Sequence, residues 1–86
     1  MALTPQTNEE FLAWIAENPD GYVVNHEHDP SSAYLILHHS TCYHFQDDRD
    51  FTSSYSKTCS KSVADLRVWA RSATGSDELQ ECSHCM

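Results

Sequence analysis

The stretch "AYLILHHSTCYHF", residues 33–45, changes character halfway along. It begins with a continuous apolar and aromatic run, Tyr34–Leu37, the pattern of a strand covered on both faces. It then places three histidines and one cysteine in the nine positions from Leu37 to Phe45. A buried strand running into such side chains predicts a small sheet with a candidate metal site just past the strand's end. Strand alternation puts His38 and His39 on opposite sides.

The neighbouring segments fit this sheet. "YVVN" (22–25) is rich in β-branched and aromatic residues, and the polar "HEHDPSS" joins it to the first strand as a hairpin. A turn near Asp29–Ser32 sets His38 opposite residues around Val23, which separates it from His26 and His28. Before the hairpin, a helix is expected over Thr7–Asn18, with Phe11, Leu12, Trp14 and Ile15 on its buried side. Thr7 and Glu10 have capping-box spacing, and Thr4–Pro5 is an alternative start. "NPDG" (18–21) ends the helix. Residues 46–62 are polar and serine-rich, predicting a loop that leads into a short strand near Tyr55–Cys59. A second helix follows from Val63 to Ala73, capped by Ser62 with Asp65, striped by Val63, Leu66, Ala70 and Ala73, and stopped at Gly75. The tail is "ELQECSHCM". The expected class is α+β: an N-terminal helix, a small antiparallel sheet (hairpin plus short third strand), a second helix and a C-terminal zinc knuckle.

A chain of 86 residues predicts one domain, 1–86, and a core small enough to need help from a metal, disulfides or a partner. Hydrophobic residues make up 40% and charged residues 21%, which is globular rather than disordered composition. The net charge is −8, and it is unevenly placed. The first 48 residues hold eight acids (Glu9, Glu10, Glu17, Asp20, Glu27, Asp29, Asp47, Asp48) and no Lys or Arg; the remainder holds five of each sign. Such a field repels phosphate backbones, argues against nucleic acid and suits a basic protein partner. With no run long enough for a membrane span and no signal-like N-terminus, the expected location is cytoplasmic.

Thiols remain reduced in that compartment, where clustered cysteines more often hold metal than pair. The four are Cys42, Cys59, Cys82 and Cys85. The last two have C-x-x-C spacing, by which a tight turn aims two thiolates at one ion, as in a zinc ribbon. Cys42 follows a strand and Cys59 precedes a helix, positions from which both can reach the same Zn²⁺. The expected ligands are therefore Cys42, Cys59, Cys82 and Cys85. His38, four residues before Cys42, is the alternative ligand, most readily in place of Cys59, and His44 is a weaker one. Lys57 and Lys61 flank Cys59 and either offset the site's excess negative charge or stand as solvated lysines.

The pattern "GYVVN…YLILHHSTC…KTC…ADLRVWA…CSHC" resembles a family of small, uncharacterised bacterial His/Cys zinc-binding proteins and appended domains. The matching residues are Gly21–Asn25, Leu37, His38, Cys42, Cys59, Leu66, Trp69, Ala70, Cys82 and Cys85, over about residues 7–86. The resemblance implies a compact metal-binding unit with His38 as a notable position. It implies no activity.

Motifs for catalysis are missing. His26-Glu27-His28 has the wrong order for a zinc deaminase, no His-Glu-x-x-His is present, and only Gly21 and Gly75 are available to a phosphate loop. Cys42 with His38 or His44 is the one combination that resembles a nucleophile pair. The expectation is therefore a non-enzyme: a zinc-stabilised protein-interaction, regulatory or inhibitor module, in one version an acidic protein occupying the basic surface of a nucleic-acid enzyme. The alternative is a zinc-dependent nucleic-acid-binding module using the Lys57–Arg71 stretch. Partner identity and oligomeric state have no signature in the sequence.

Overall fold

The computed structural model describes residues 2–45 and 50–85. Asp47, Asp48 and Arg49 of the charge count, and the start of the 46–62 loop, lie outside the described residues. The first element, α1, is Asn8–Glu17. It starts at Thr7, not Thr4, because the Thr7 hydroxyl accepts the Glu10 N–H at 3.2 Å and donates to the Glu10 carboxylate at 3.2 Å. Two strands follow, β1 (Tyr22–His26) and β2 (Leu35–His39), then one 3-10 turn at Tyr43–Phe45. Next come β3 (Ser56–Ser60), α2 (Val63–Thr74) and a two-residue β4, Gln80–Glu81. Ser62 caps the start of α2, and Gly75 ends it in the left-handed region at φ 81°. None of the described helices is long and apolar enough to cross a membrane.

The strand order is β3-β1-β2-β4, so β1 lies inside the sheet. The hairpin and the third strand are antiparallel, as expected, and Val23 pairs with His38 on one side and Cys59 on the other. The sheet is nonetheless mixed, because β4 runs parallel to β2 through Ile36–Gln80 and Leu37–Glu81. A two-residue strand is too short for alternation to reveal, so nothing in the tail's composition announced it.

Alternation along the strands divides the core into two layers. Val24, Leu35 and Leu37 pack against Leu66 and Ala70 of α2. Val23 and Cys59 face the other way, into a cluster with Phe11 of α1, Phe45 and Phe51. The three phenylalanines meet edge to face at centroid distances of 5.2, 5.8 and 5.6 Å, the geometry that aromatic quadrupoles favour. Tyr34–Leu37 is therefore enclosed from both sides, with Leu35 and Leu37 toward α2 and Ile36 against the α1 layer.

His26 belongs to the α2 layer. Its Nδ1–H donates to the Glu27 carbonyl and its Nε2 accepts from the Thr58 hydroxyl, both at 2.8 Å, while the ring lies 4.6 Å from Trp69. The Thr58 oxygen in turn meets the Thr4 hydroxyl at 2.8 Å. Both imidazole nitrogens are used and the ring is neutral. Burial holds its pKa below the ordinary 6.5, against the Glu27 carbonyl bond, which favours the charged form, and with help from Lys57 and His28. His28 is exposed and spans to the loop before β3, bonding Ser56 Oγ and the Ser53 carbonyl. Neither histidine belongs to the cluster at the end of β2.

Gly21 joins α1 to the sheet through a close approach. A Cβ there would lie 2.4 Å from Trp14 Cη2 and 3.1 Å from the Asn18 carbonyl. Gly21→Ala should lower stability by about 1–3 kcal/mol, the usual cost of overpacking; an unchanged midpoint in urea would mean that Trp14 yields freely. A second prediction concerns His26. Below pH 6.5 the unfolded chain takes up a proton that folded His26 refuses, so stability falls as the solution is acidified. His26→Gln should flatten that fall by up to about 1.4 kcal/mol per pH unit. Parallel profiles for wild type and variant would remove His26 from the acid response.

Candidate metal centre

The site is assembled where β2 ends. His38 is the last β2 residue whose side chain enters the α1 layer, where its ring meets Phe45 at 5.1 Å. His39 turns to the opposite face and lies 5.1 Å from the Tyr22 ring. The chain then reverses tightly: Cys42 N–H bonds the His39 carbonyl and Phe45 N–H bonds the Cys42 carbonyl, each at 3.0 Å. This turn brings Cys42 and His44 back beside His38. The tail arrives along β4, and Cys82 N–H bonds the Leu37 carbonyl at 2.8 Å, which fixes Cys82 alongside the end of β2.

Ligand atoms of His38, Cys42, His44 and Cys82 all lie within 4.8 Å of one another, a group that could hold a metal ion. His44 Nδ1 is 3.7 Å from Cys42 Sγ and 3.8 Å from Cys82 Sγ. A tetrahedral ion with sulfur at about 2.3 Å and nitrogen at about 2.0–2.1 Å has a sulfur–nitrogen edge of about 3.6 Å. The observed separations are therefore those of ligands around a shared ion. Cys85 stands beside this group, not in it, and interacts with both Cys42 and Cys82. None of the four cysteines is in a disulfide.

The three clustered sulfurs share a second property: backbone N–H groups point at each of them. His44 N–H serves Cys42, the N–H groups of His84 and Cys85 serve Cys82, and His39 N–H reaches Cys85 Sγ at 3.4 Å. Such donors favour the thiolate, the form that binds metal. Burial opposes them. It pushes the Cys42 thiol up to about 12, reinforced by the neighbouring Cys85 thiol. At Cys82 burial also raises the pKa, but the His84 and Cys85 N–H groups and the adjoining thiols outweigh it and the value falls. His38 is held down to about 4 by burial, then by His44 and Lys57, so its ring is the neutral imidazole a metal requires. Its Nδ1 is buried with no hydrogen-bond partner. His38, His44 and Cys82 also border a cavity of about 620 Å³ shared with Tyr34 and Tyr55.

Of the expected ligands, Cys42 and Cys82 belong to this group, Cys85 lies beside it, and Cys59 is remote from it. Cys59 is fully buried on β3, where its backbone pairs with Leu3 at 2.7 and 2.9 Å. Val23 stands between it and His38 in the cross-strand row. Two strand spacings, roughly 10 Å, therefore separate it from the end of β2. Its thiol behaves as a small core side chain, pushed up to about 12 by burial, with Lys57 acting weakly the other way. His38 and His44 are the additional donors. Lys57 is buried and donates to the Phe51 and Tyr55 carbonyls, whereas Lys61 is exposed and pairs with Asp20 at 3.4 Å. Lys57 nevertheless acts on the group, helping to lower the His38 pKa.

The fold and the cluster define a small α+β protein with a His/Cys group able to hold a metal ion. No protein-family model, curated protein or solved structure matches the chain. The geometry predicts opposite behaviour for two cysteines. Cys59→Ala should lower stability yet keep the metal stoichiometry of the wild type by native mass spectrometry. Cys42→Ala should lose bound metal. Metal loss in the Cys59 variant and retention in the Cys42 variant would reverse the assignment.

Proposed function

We propose that the protein is a zinc-stabilised protein-interaction module, with Zn²⁺ held by His38, Cys42, His44 and Cys82. The observation that carries this reading is the mutual closeness of these four ligand atoms, all within 4.8 Å, with the His38 Nδ1 buried and unpartnered. A buried polar atom without a partner costs about 1–3 kcal/mol, and a coordinate bond removes that cost. A two-sulfur, two-nitrogen set suits zinc, and two thiolates with Zn²⁺ leave no net charge.

The role of the ion would be structural. The tail pairs with the sheet through two residues of β4, and the ion would tie that tail to the turn after β2. Structural zinc contributes about 10–16 kcal/mol of apparent binding free energy, comparable with the whole stability of a typical domain, about 5–15 kcal/mol.

The charge distribution supports a basic protein partner. Glu9, Glu10, Glu17, Asp20, Glu27 and Asp29 are all exposed, along α1 and at the ends of the hairpin. The nucleic-acid alternative draws less support. Within its basic stretch Lys57 is buried, Lys61 pairs with Asp20, and Arg71 pairs with Asp77 at 2.6 Å.

The zinc-loaded protein should carry one Zn²⁺ per chain and unfold on chelation. It should bind a polyarginine probe with an affinity that falls steeply with salt, and replacing Glu9, Glu10 and Glu17 with lysine should abolish that binding. It should leave duplex and single-stranded DNA unbound at low salt. A chain that remains folded without metal, or salt-insensitive binding, would sink this reading.

A further inference from the structure

Cys85 holds a distinct place beside the metal corner. It is the one cysteine of the four that is not buried. It also stands outside the group formed by His38, Cys42, His44 and Cys82. Its sulfur nevertheless interacts with those of both Cys42 and Cys82. The His39 N–H reaches that sulfur at 3.4 Å, and the side chain packs against the core layer that contains Cys42 and Cys82. A C-x-x-C turn joins Cys85 to Cys82. A sulfur inside the group and a sulfur outside it therefore lie together on one short tail, and the outer one is nearer solvent. Cys59 has no such neighbour: it is buried on β3, with β1 between it and β2.

We propose that Cys85 is an oxidation site for hydroperoxides, through which a disulfide to Cys82 forms and the metal is released. The proposal rests on the zinc reading above and adds control of that site by an oxidant. With hydrogen peroxide, the Cys85 sulfur attacks one oxygen, the O–O bond breaks and an S–O bond forms. The thiol proton leaves with the departing hydroxide as water, and Cys85 becomes a sulfenic acid. The Cys82 sulfur then attacks the Cys85 sulfur. An S–S bond forms, the S–O bond breaks, and the hydroxide that leaves takes a proton from solvent. Two electrons pass from the pair of sulfurs to the peroxide, and the metal stays Zn²⁺ throughout. Cys82 gives up the ion because a disulfide sulfur has no negative charge to offer it. His38, Cys42 and His44 remain, a three-donor set with a single thiolate. The C-x-x-C spacing selects Cys82 over Cys42 as the partner, because one turn closes on itself without moving the sheet. Cys82 is also the only member of the group on the tail, so its oxidation unties the tail from the turn after β2. What then holds the tail is β4 and the Cys82 N–H bond to the Leu37 carbonyl.

The test exposes the full, zinc-loaded chain to hydrogen peroxide, with the chromophoric chelator 4-(2-pyridylazo)resorcinol reporting free zinc against a peroxide-free control. Native mass spectrometry counts zinc beforehand, and peptide mapping afterwards locates any disulfide. Wild type should release its zinc as a Cys82–Cys85 disulfide appears, and a thiol reductant should restore zinc binding. Cys85→Ser should keep one zinc and lose the peroxide-driven release. Cys59→Ala should release zinc as wild type does. Release from Cys85→Ser at the wild-type rate would overturn the proposal, because the sulfurs of the group would then be oxidised directly. A disulfide that joins Cys42 to either tail cysteine would overturn it too, and that mapping uses wild type alone. Loss of zinc from Cys85→Ser before peroxide is added would make Cys85 a ligand and also overturn it. A wild-type chain without zinc would remove the zinc reading and the switch together, whereas a zinc-loaded chain that keeps its metal in peroxide would remove the switch alone.

Discussion

Three thiols and a neutral imidazole are packed into one corner, where the thiols cannot all become anionic without a cation. Burial, reinforced by the neighbouring thiols, drives Cys42 up to about 12, while backbone N–H groups are already turned toward its sulfur and toward those of Cys82 and Cys85. Two local forces therefore oppose each other. The dry surroundings favour the thiol, and the backbone favours the thiolate. A dication settles the contest, because a coordinated thiol gives up its proton outright. An arrangement that conflicts internally as a set of free thiols becomes consistent as a set of ligands to a metal ion.

The sheet makes this corner possible. β1 lies inside it, and strand alternation sends each neighbour of Val23 into the α1 layer, so that His38 points inward and His39 does not. Parallel pairing of Gln80–Glu81 with Ile36–Leu37 lays the tail beside β2 and delivers Cys82 one residue later. The aromatic cluster of Phe11, Phe45 and Phe51 closes the same layer, and Phe45 is part of the turn that carries His44. Core packing and the metal corner therefore share residues, and loosening either affects the other.

Much of this arrangement was legible from residue patterns. Both helices could be placed because capping residues, apolar stripes and stop signals agreed at Thr7, Ser62 and Gly75. The hairpin register followed from the length of the polar turn, which set His38 opposite Val23. The membership of the His/Cys group was harder to read. Cys59 and His38 are both plausible donors by composition, and only the position of β3 on the far side of β1 separates them. That is a long-range pairing with no local signal. Lys57 misleads in a similar way: a lysine in a polar, serine-rich stretch reads as solvated, yet carbonyls of the loop before β3 hold its ammonium inside. The contribution of His44 depends on a 3-10 turn only three residues long.

A metal ion at this corner would be held unevenly. His38 comes from the sheet, and its ring is packed against Phe45. Cys82 comes from a tail that pairs with the sheet through only two residues. Cys85, less buried than the other thiols, follows three residues later on the same tail. One side of the group is thus fixed by the sheet and the other by a short, partly exposed segment, so the tail would depend on the ion more than the sheet does.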